Sequence, residues 1–142
     1  MSEKVLIVDD EQEFLDALAE RMRARGMDVT TATSPIEALA LVARRSFDAI
    51  VLDFQMPELD GLETLKRMKD ANDDVQVIVL TGHATVERGV EVMKHGAMDF
   101  VEKSADINSL TEKIQEASAK KLVIAEEKTR EKIQAILEEK GW

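Results

Sequence analysis

Asp9, Asp10 and Glu11 follow one short apolar run, Asp53 follows another, Thr81 and Gly82 a third, and Lys103 a fourth. Clustered carboxylates repel one another and stay ionised only with a cation among them. Oxygen donors without His or Cys select a hard ion, and an open octahedral arrangement suits Mg2+, with Mn2+ as a substitute. A Mg2+ held by two or three Asp residues, with positions left for other oxygens, suits phosphoryl transfer. An Asp can also be the nucleophile and carry the phosphoryl group as an acyl phosphate. Thr81 can hydrogen-bond one phosphoryl oxygen and Lys103 can pair with another. Loop acids after strands also cap helices as a matter of course. The hydroxyl and the ammonium at matching places turn the reading toward chemistry.

Residues so far apart in sequence meet only if regular elements carry them to one place. Val, Ile and Leu dominate most of the runs at Lys4–Val8, Asp28–Ala32, 49–52, 75–80 and 98–102. Near-continuous runs of this kind suit a sheet buried on both faces, as parallel sheets are. Between them, Phe14, Leu15, Leu18 and Met22 recur at helical spacing, as do Ile36, Leu39 and Ala43. Leu62, Leu65 and Met68 follow the same rule, then Val86, Val90 and Met93, with the methionines expected as core fillers. Gly26 is placed to close the first helix, Ser34-Pro35 to open the second and Gly96 to end the fourth. Asp60-Gly61 reads as a turn in which Gly61 takes positive φ. Five βα units predict a doubly wound parallel α/β sheet, whose ligands bind at the carboxyl ends of the strands. Those are the places where the acids, Thr81 and Lys103 fall.

The balance of 19 basic and 29 acidic residues, net −10, disfavours a protein that coats nucleic acid or docks on an anionic membrane. The absence of cysteine removes disulfides, thiolate metal sites and Cys nucleophiles together. The chain is expected to be cytoplasmic, its first apolar run being far too short for a signal peptide or a span. Charge also divides the chain: residues 105–142 hold 7 basic and 8 acidic side chains, residues 1–104 hold 12 and 21. From Asp106 no Gly or Pro occurs until Gly141, and Ile107, Leu110, Ile114, Leu122, Ala125, Ile133 and Ile136 form a thinning stripe. One helix far longer than the usual dozen residues is predicted there.

Four motifs in order resemble the receiver domain of two-component response regulators: VLIVDDE (5–11), IVLDFQMPELDGLE (50–63), VIVLTGHA (77–84) and GAMDFVEK (96–103). The tract from Thr81 to Lys103 is most similar to receivers of nitrogen-regulatory, enhancer-binding activators. The resemblance implies a flavodoxin-like three-layer (βα)5 sandwich, strand order 2-1-3-4-5, with an extended C-terminal helix. It implies a receiver at residues 1–118 and a helical extension at 119–142. It makes Asp53 the acceptor of a phosphoryl group from a sensor histidine kinase or phosphotransfer protein. Asp9, Asp10 and Asp53, with the backbone carbonyl of Gln55, would hold Mg2+. Thr81, Gly82 and Lys103 would meet the phosphoryl oxygens, and Phe100 would be the switch aromatic. Such a protein is a signalling phosphoacceptor that catalyses only its own phosphorylation and dephosphorylation, not an enzyme acting on a metabolite. Output is expected at the surface of the fourth helix, fifth strand and fifth helix, where a homodimer contact is also expected.

One residue departs from the family pattern. Ser104 stands where Pro usually follows the lysine, which puts the cis geometry of that bond and the aim of Lys103 in question. Gln55 and His83, at the mouth of the site, are expected to tune the access of water to the acyl phosphate, whereas His95 reads as a surface residue. The tail reads either as a solvated extension or linker, or as a dimer contact whose heptad register Lys128 and Glu131 interrupt. Two settings fit: the regulatory domain of a larger sigma-factor-dependent transcription activator, or a stand-alone phosphorelay receiver. A haloacid-type phosphatase would place two Asp residues two apart on one strand end, and Asp53 is followed by Phe54-Gln55.

Overall fold

The computed structural model describes residues 2–56, 59–82, 85–104 and 106–141. Its elements alternate: β1 (Lys4–Val8), α1 (Gln12–Ala24), β2 (Asp28–Ala32), α2 (Pro35–Arg44), β3 (Ala49–Asp53), α3 (Gly61–Ala71), β4 (Val77–Thr81), α4 (Val86–Lys94), β5 (Asp99–Glu102) and α5 (Ile107–Glu139). The strands form one parallel sheet in the order β2-β1-β3-β4-β5. Every residue of β3 and β4 is buried, as their unbroken apolar runs require. On one face, Leu15, Leu18 and Met22 of α1 and Leu110, Ile114 and Ala117 of α5 pack on the sheet. On the other, Ala38 of α2, Leu65 and Met68 of α3 and Val92 of α4 do so.

Helix ends follow local chemistry. Ser34 Oγ accepts the Glu37 N–H at 3.1 Å, Asp60 Oδ1 the Glu63 N–H at 2.8 Å and Thr85 Oγ1 the Arg88 N–H at 3.2 Å. Gly26 (φ 86) and Gly96 (φ 93) leave α1 and α4 through the left-handed region that glycine alone enters without strain. Asp60→Ala is expected to cost about 1 kcal/mol, the usual loss of an N-cap, read as a lowered urea midpoint at unchanged m-value.

Several local expectations are corrected. β4 begins at Val77 rather than residue 75, because the Val75 N–H turns back to the Asn72 carbonyl at 3.2 Å. β5 begins at Asp99, and β3 and β4 each run one residue further, so that Asp53 and Thr81 end strands instead of following them. Gly61 does not take positive φ: Asp60 caps α3 and Gly61 is its first helical residue. Met93 is no core filler, being 48% exposed, and Val86 (84%) and Ile36 (66%) also face outward. A periodic apolar stripe predicts a helix but not which way the stripe turns. The sheet side of α4 carries Val92 and Gly89, the latter against the Phe100 ring.

α5 is one uninterrupted helix of 33 residues, and its buried residues end at Ala117. Beyond them, Lys121 Nζ donates to Ser46 Oγ (2.7 Å) and to the Phe47 carbonyl (3.0 Å), just before β3. Lys128 Nζ meets Asp74 Oδ1 at 2.7 Å and Asp73 Oδ1 at 3.4 Å, in the loop before β4. Among the described residues no helix is long and apolar enough to cross a membrane.

Candidate functional site

The carboxyl edge of the sheet brings together the predicted groups. Asp9 directly follows β1, and its N–H extends the ladder to the Ala32 carbonyl at 3.1 Å. Its Oδ1 accepts the Glu11 N–H at 2.8 Å, while Oδ2 is buried without a hydrogen bond of good angle. Asp53 closes β3, is 2% exposed, and accepts the Gln55 N–H on Oδ1 at 3.3 Å. Asp10 is exposed at the rim. Carboxylate oxygens of Asp9, Asp10 and Asp53 all lie within 4.8 Å of one another.

Lys103 enters from the end of β5, where its N–H donates to the Thr81 carbonyl at 2.8 Å. Its ammonium stands 2.9 Å from Asp9 Oδ2, 2.9 Å from Glu11 Oε1 and 3.6 Å from Asp53 Oδ2. It also sits 4.7 Å from the centroid of the Phe14 ring. The Lys103–Ser104 bond is trans, no cis peptide occurring among the described residues, and Lys103 reaches the acids all the same. Thr81 is fully buried at the end of β4, and Gly82 beyond it is exposed. Phe100 is half-buried against the second core, its ring 3.3 Å from the point a Cβ on Gly89 would occupy. The side chain of Gln55 is exposed, and His83 lies outside the described residues.

The electrostatics follow from burial. Burial first, and then the charge of Asp9, push the Asp53 carboxyl from 3.8 up to about 6, with a smaller push from Asp10. The Gln55 N–H and the Lys103 ammonium pull the other way and do not prevail. Burial works against the charge of Lys103, but its contacts with Asp9 and Glu11, aided by the charge of Asp53, hold the ammonium well above its ordinary value. The buried carboxylates of Asp9 and Asp53 and the exposed carboxylate of Glu11 thus share one ammonium. A buried oxygen without an aligned donor, three carboxylates at ligating separation and no His or Cys fit a small hard divalent cation such as Mg2+.

Contacts that sequence reasoning did not assign surround this set. Glu11 was visible in the acidic run, but its hold on Lys103 was not. Phe14 reads as one more apolar helix position, although it also lies under the ammonium. Arg88 of α4 stacks over the Phe54 ring at 5.4 Å, just beyond the end of β3. Gly61 lies so close to Phe54 that an added Cβ would stand 2.6 Å from its carbonyl oxygen.

An open parallel sheet with acids, a buried hydroxyl and a lysine at its carboxyl edge defines the class of doubly wound α/β proteins with an acidic, cation-accepting pocket. Residues 5–115 match the family model described as the response regulator receiver domain, and the chain belongs to that family of two-component systems. It is 35% identical over 115 residues to the transcriptional regulatory protein ZraR of Klebsiella oxytoca, covering 81% of this chain and 26% of that protein. The chain therefore spans about a quarter of the length of this relative. A receiver domain from Clostridium thermocellum superposes with a TM-score of 0.82 at 30% identity, over 86% of this chain and 98% of that one. A response regulator from Burkholderia pseudomallei superposes with a TM-score of 0.75 at 29% identity, over 99% of this chain and 86% of that one. That structure holds a phosphorylated aspartic acid, a calcium ion and citrate.

Proposed function

We propose that Asp53 accepts a phosphoryl group from the phosphohistidine of a sensor kinase or phosphotransfer protein, and that the protein works as a phosphorylation-controlled switch. The observation that carries this reading is the single ammonium of Lys103 standing 2.9 Å from Asp9 and 3.6 Å from Asp53 in a pocket of three carboxylates. An oxygen of Asp53 attacks phosphorus as the P–N bond breaks, and the electron pair leaves with the imidazole, which takes up a proton. Asp9, Asp10 and Asp53, with the carbonyl of Gln55, would hold Mg2+, which when bound neutralises charge on the transferring group. Lys103 exchanges a carboxylate partner for a phosphoryl oxygen, and Thr81 hydrogen-bonds another. Gln55 and His83 set how fast water reaches the acyl phosphate.

The phosphoryl group adds about −1.5 to −2 charge to the pocket. Driving a switch from 1:99 to 99:1 takes roughly 5.5 kcal/mol, within reach of two or three charge-assisted hydrogen bonds. Phe100 moves into the space vacated as Thr81 shifts, and the surface of α4, β5 and α5 repacks for output. Residues 1–118 form the receiver and 119–142 its helical extension. Similarity to ZraR, a transcriptional regulatory protein matched over only part of its length, favours a regulatory unit of a larger activator over a stand-alone receiver. A homodimer through the α4-β5-α5 surface or the extension, a cytoplasmic location and no direct contact with nucleic acid complete the reading.

Incubation with Mg2+ and acetyl phosphate is expected to add the mass of one phosphoryl group. The adduct should be absent after chelation, absent in Asp53→Ala, and cleaved by hydroxylamine as acyl phosphates are. An unmodified parent, or an equal gain on Asp53→Ala, overturns the assignment.

A further inference from the structure

Phe54 is bonded to Asp53, and its backbone is held on both sides. Its N–H donates to the Leu80 carbonyl of β4 at 2.8 Å, and its carbonyl accepts the Gly61 N–H at the start of α3 at 3.2 Å. Its ring is half-buried against the same core as Phe100. The guanidinium of Arg88 lies over that ring, 5.4 Å from the centroid. Both side chains line a cleft of about 260 Å3 with Asp60, Leu62 and Glu91, between α4 and the start of α3. Neither acid pairs with Arg88, whose guanidinium has no ion pair or hydrogen bond among the described residues. The next residue of α4, Gly89, rests its backbone on the Phe100 ring, where an added Cβ would stand 3.3 Å from Cδ1. Two consecutive residues of α4 therefore bear on two rings, one beside Asp53 and one on β5.

We propose that Arg88 is a positioning residue of the phosphoryl-accepting site, whose stack on Phe54 latches α4 in its resting place until phosphorylation parts the two. Protein interiors are close-packed, so when Phe100 moves inward α4 loses its support at Gly89 and settles after the ring. Phe54, held at both backbone groups, does not follow, and the stack opens. The latch joins the acceptor to α4 directly, by a route that bypasses Thr81 and Phe100. Its hold on α4 stands on the contact alone, whereas its release by phosphorylation rests on the function proposed above. A cation over an aromatic face at a partly exposed site shifts an equilibrium by roughly two- to fivefold. A chain phosphorylated from its less populated arrangement gains rate in proportion to that population. Cutting the latch therefore speeds phosphorylation.

The test follows phosphorylation of the full chain by acetyl phosphate with Mg2+, read by intact mass. Arg88→Ala and Phe54→Leu should each react about two- to fivefold faster than the parent, and the double variant no faster than either. Phe54→Tyr, which keeps an aromatic face under the guanidinium, should match the parent. Losing a cation would by itself slow an anionic donor, so acceleration in Arg88→Ala has the opposite sign to a change in steering. Methionine methyl NMR without metal or phosphodonor reads α4 itself, since Met93 lies on its outer face. Arg88→Ala and Phe54→Leu should displace the Met93 resonance in one direction, the double variant no further and Phe54→Tyr not at all. Phosphorylation of the parent should displace it the same way. The latch is overturned if Arg88→Ala, with the parent's Tm, reacts no faster than the parent, or if the two single effects multiply in the double variant. It is overturned likewise by a Met93 resonance that neither single variant moves. Displacement in the opposite direction on phosphorylation overturns the release and leaves the hold. A parent that is never phosphorylated counts against Asp53, and Met93 alone then decides the latch.

Discussion

Asp53→Asn is expected to stabilise the metal-free protein by about 2–3 kcal/mol at pH 7.5. The Asp53 carboxyl is buried beside Asp9, and the two causes lift it from 3.8 to about 6. Between those values the folded chain binds more protons than the unfolded one, so this group's contribution to stability falls as pH rises through that window. Above it the ionised carboxylate is a standing cost, at about 1.4 kcal/mol for each unit of displacement. Below about pH 4 both states are protonated, and the variant should lose its advantage. Mg2+ should close the gap from the other side by stabilising the parent and not the variant, as a ligand of the native state does. Urea unfolding of both proteins at pH 3.5, 5 and 7.5, with and without Mg2+, checks the sign and the window. Equal stability at pH 7.5 without metal would show that the carboxylate carries no such cost. The group proposed to accept the phosphoryl is thus also one that weakens the metal-free fold at neutral pH.

Gly61→Ala is expected to be the most damaging of the small substitutions. An added Cβ would stand 2.6 Å from the Phe54 carbonyl oxygen and 2.7 Å from its Cα, atoms of the backbone that cannot swing aside. Overpacking of this kind costs about 1–3 kcal/mol and sometimes more. Relief requires Phe54 to move, and Phe54 is bonded to Asp53. The Gly61 N–H also donates to the same carbonyl at 3.2 Å, so the start of α3 and the end of β3 move together. A displacement near 1 Å at a reacting group costs about 10²-fold in rate. Gly61→Ala should therefore slow phosphorylation by acetyl phosphate about 10²-fold, even where urea shows the chain folded. A normal rate with lowered stability would place the strain in α3 alone.

Asp9, Asp53, Thr81 and Lys103 were legible in the sequence because each ends or follows an apolar run, and a parallel sheet gathers such ends on one edge. Strand order came only with the resemblance to the receiver family, since a run of βα units fits more than one doubly wound order. What escaped has no period to betray it. Gly61 looks like any turn glycine, since the close approach is to Phe54, seven residues back at the other end of the β3–α3 loop, and not within the turn itself. The outward stripe of Val86, Val90 and Met93 is as regular as an inward one, and the turn of α4 shows only in what meets the sheet, Val92 in the core and Gly89 against the Phe100 ring. Long side chains that reach across the molecule, as Lys103 does to Glu11 and Lys128 to Asp74, leave no local mark at all.

The two lysines of the extension have a consequence of angle rather than of energy. Lys121 and Lys128 are seven residues apart, so their directions around the helix axis differ by only about 20°. Both seize loops at the amino ends of neighbouring strands, which pins the azimuth of α5 at two points. One residue inserted between them would turn the remainder by about 100° and carry Lys128 away from Asp73 and Asp74. A whole heptad inserted beyond Lys128 would keep the heading and change only the reach, by about 10 Å. The extension thus behaves as a keyed shaft: its far end inherits its bearing from the base of the sheet, opposite the edge that holds Asp53.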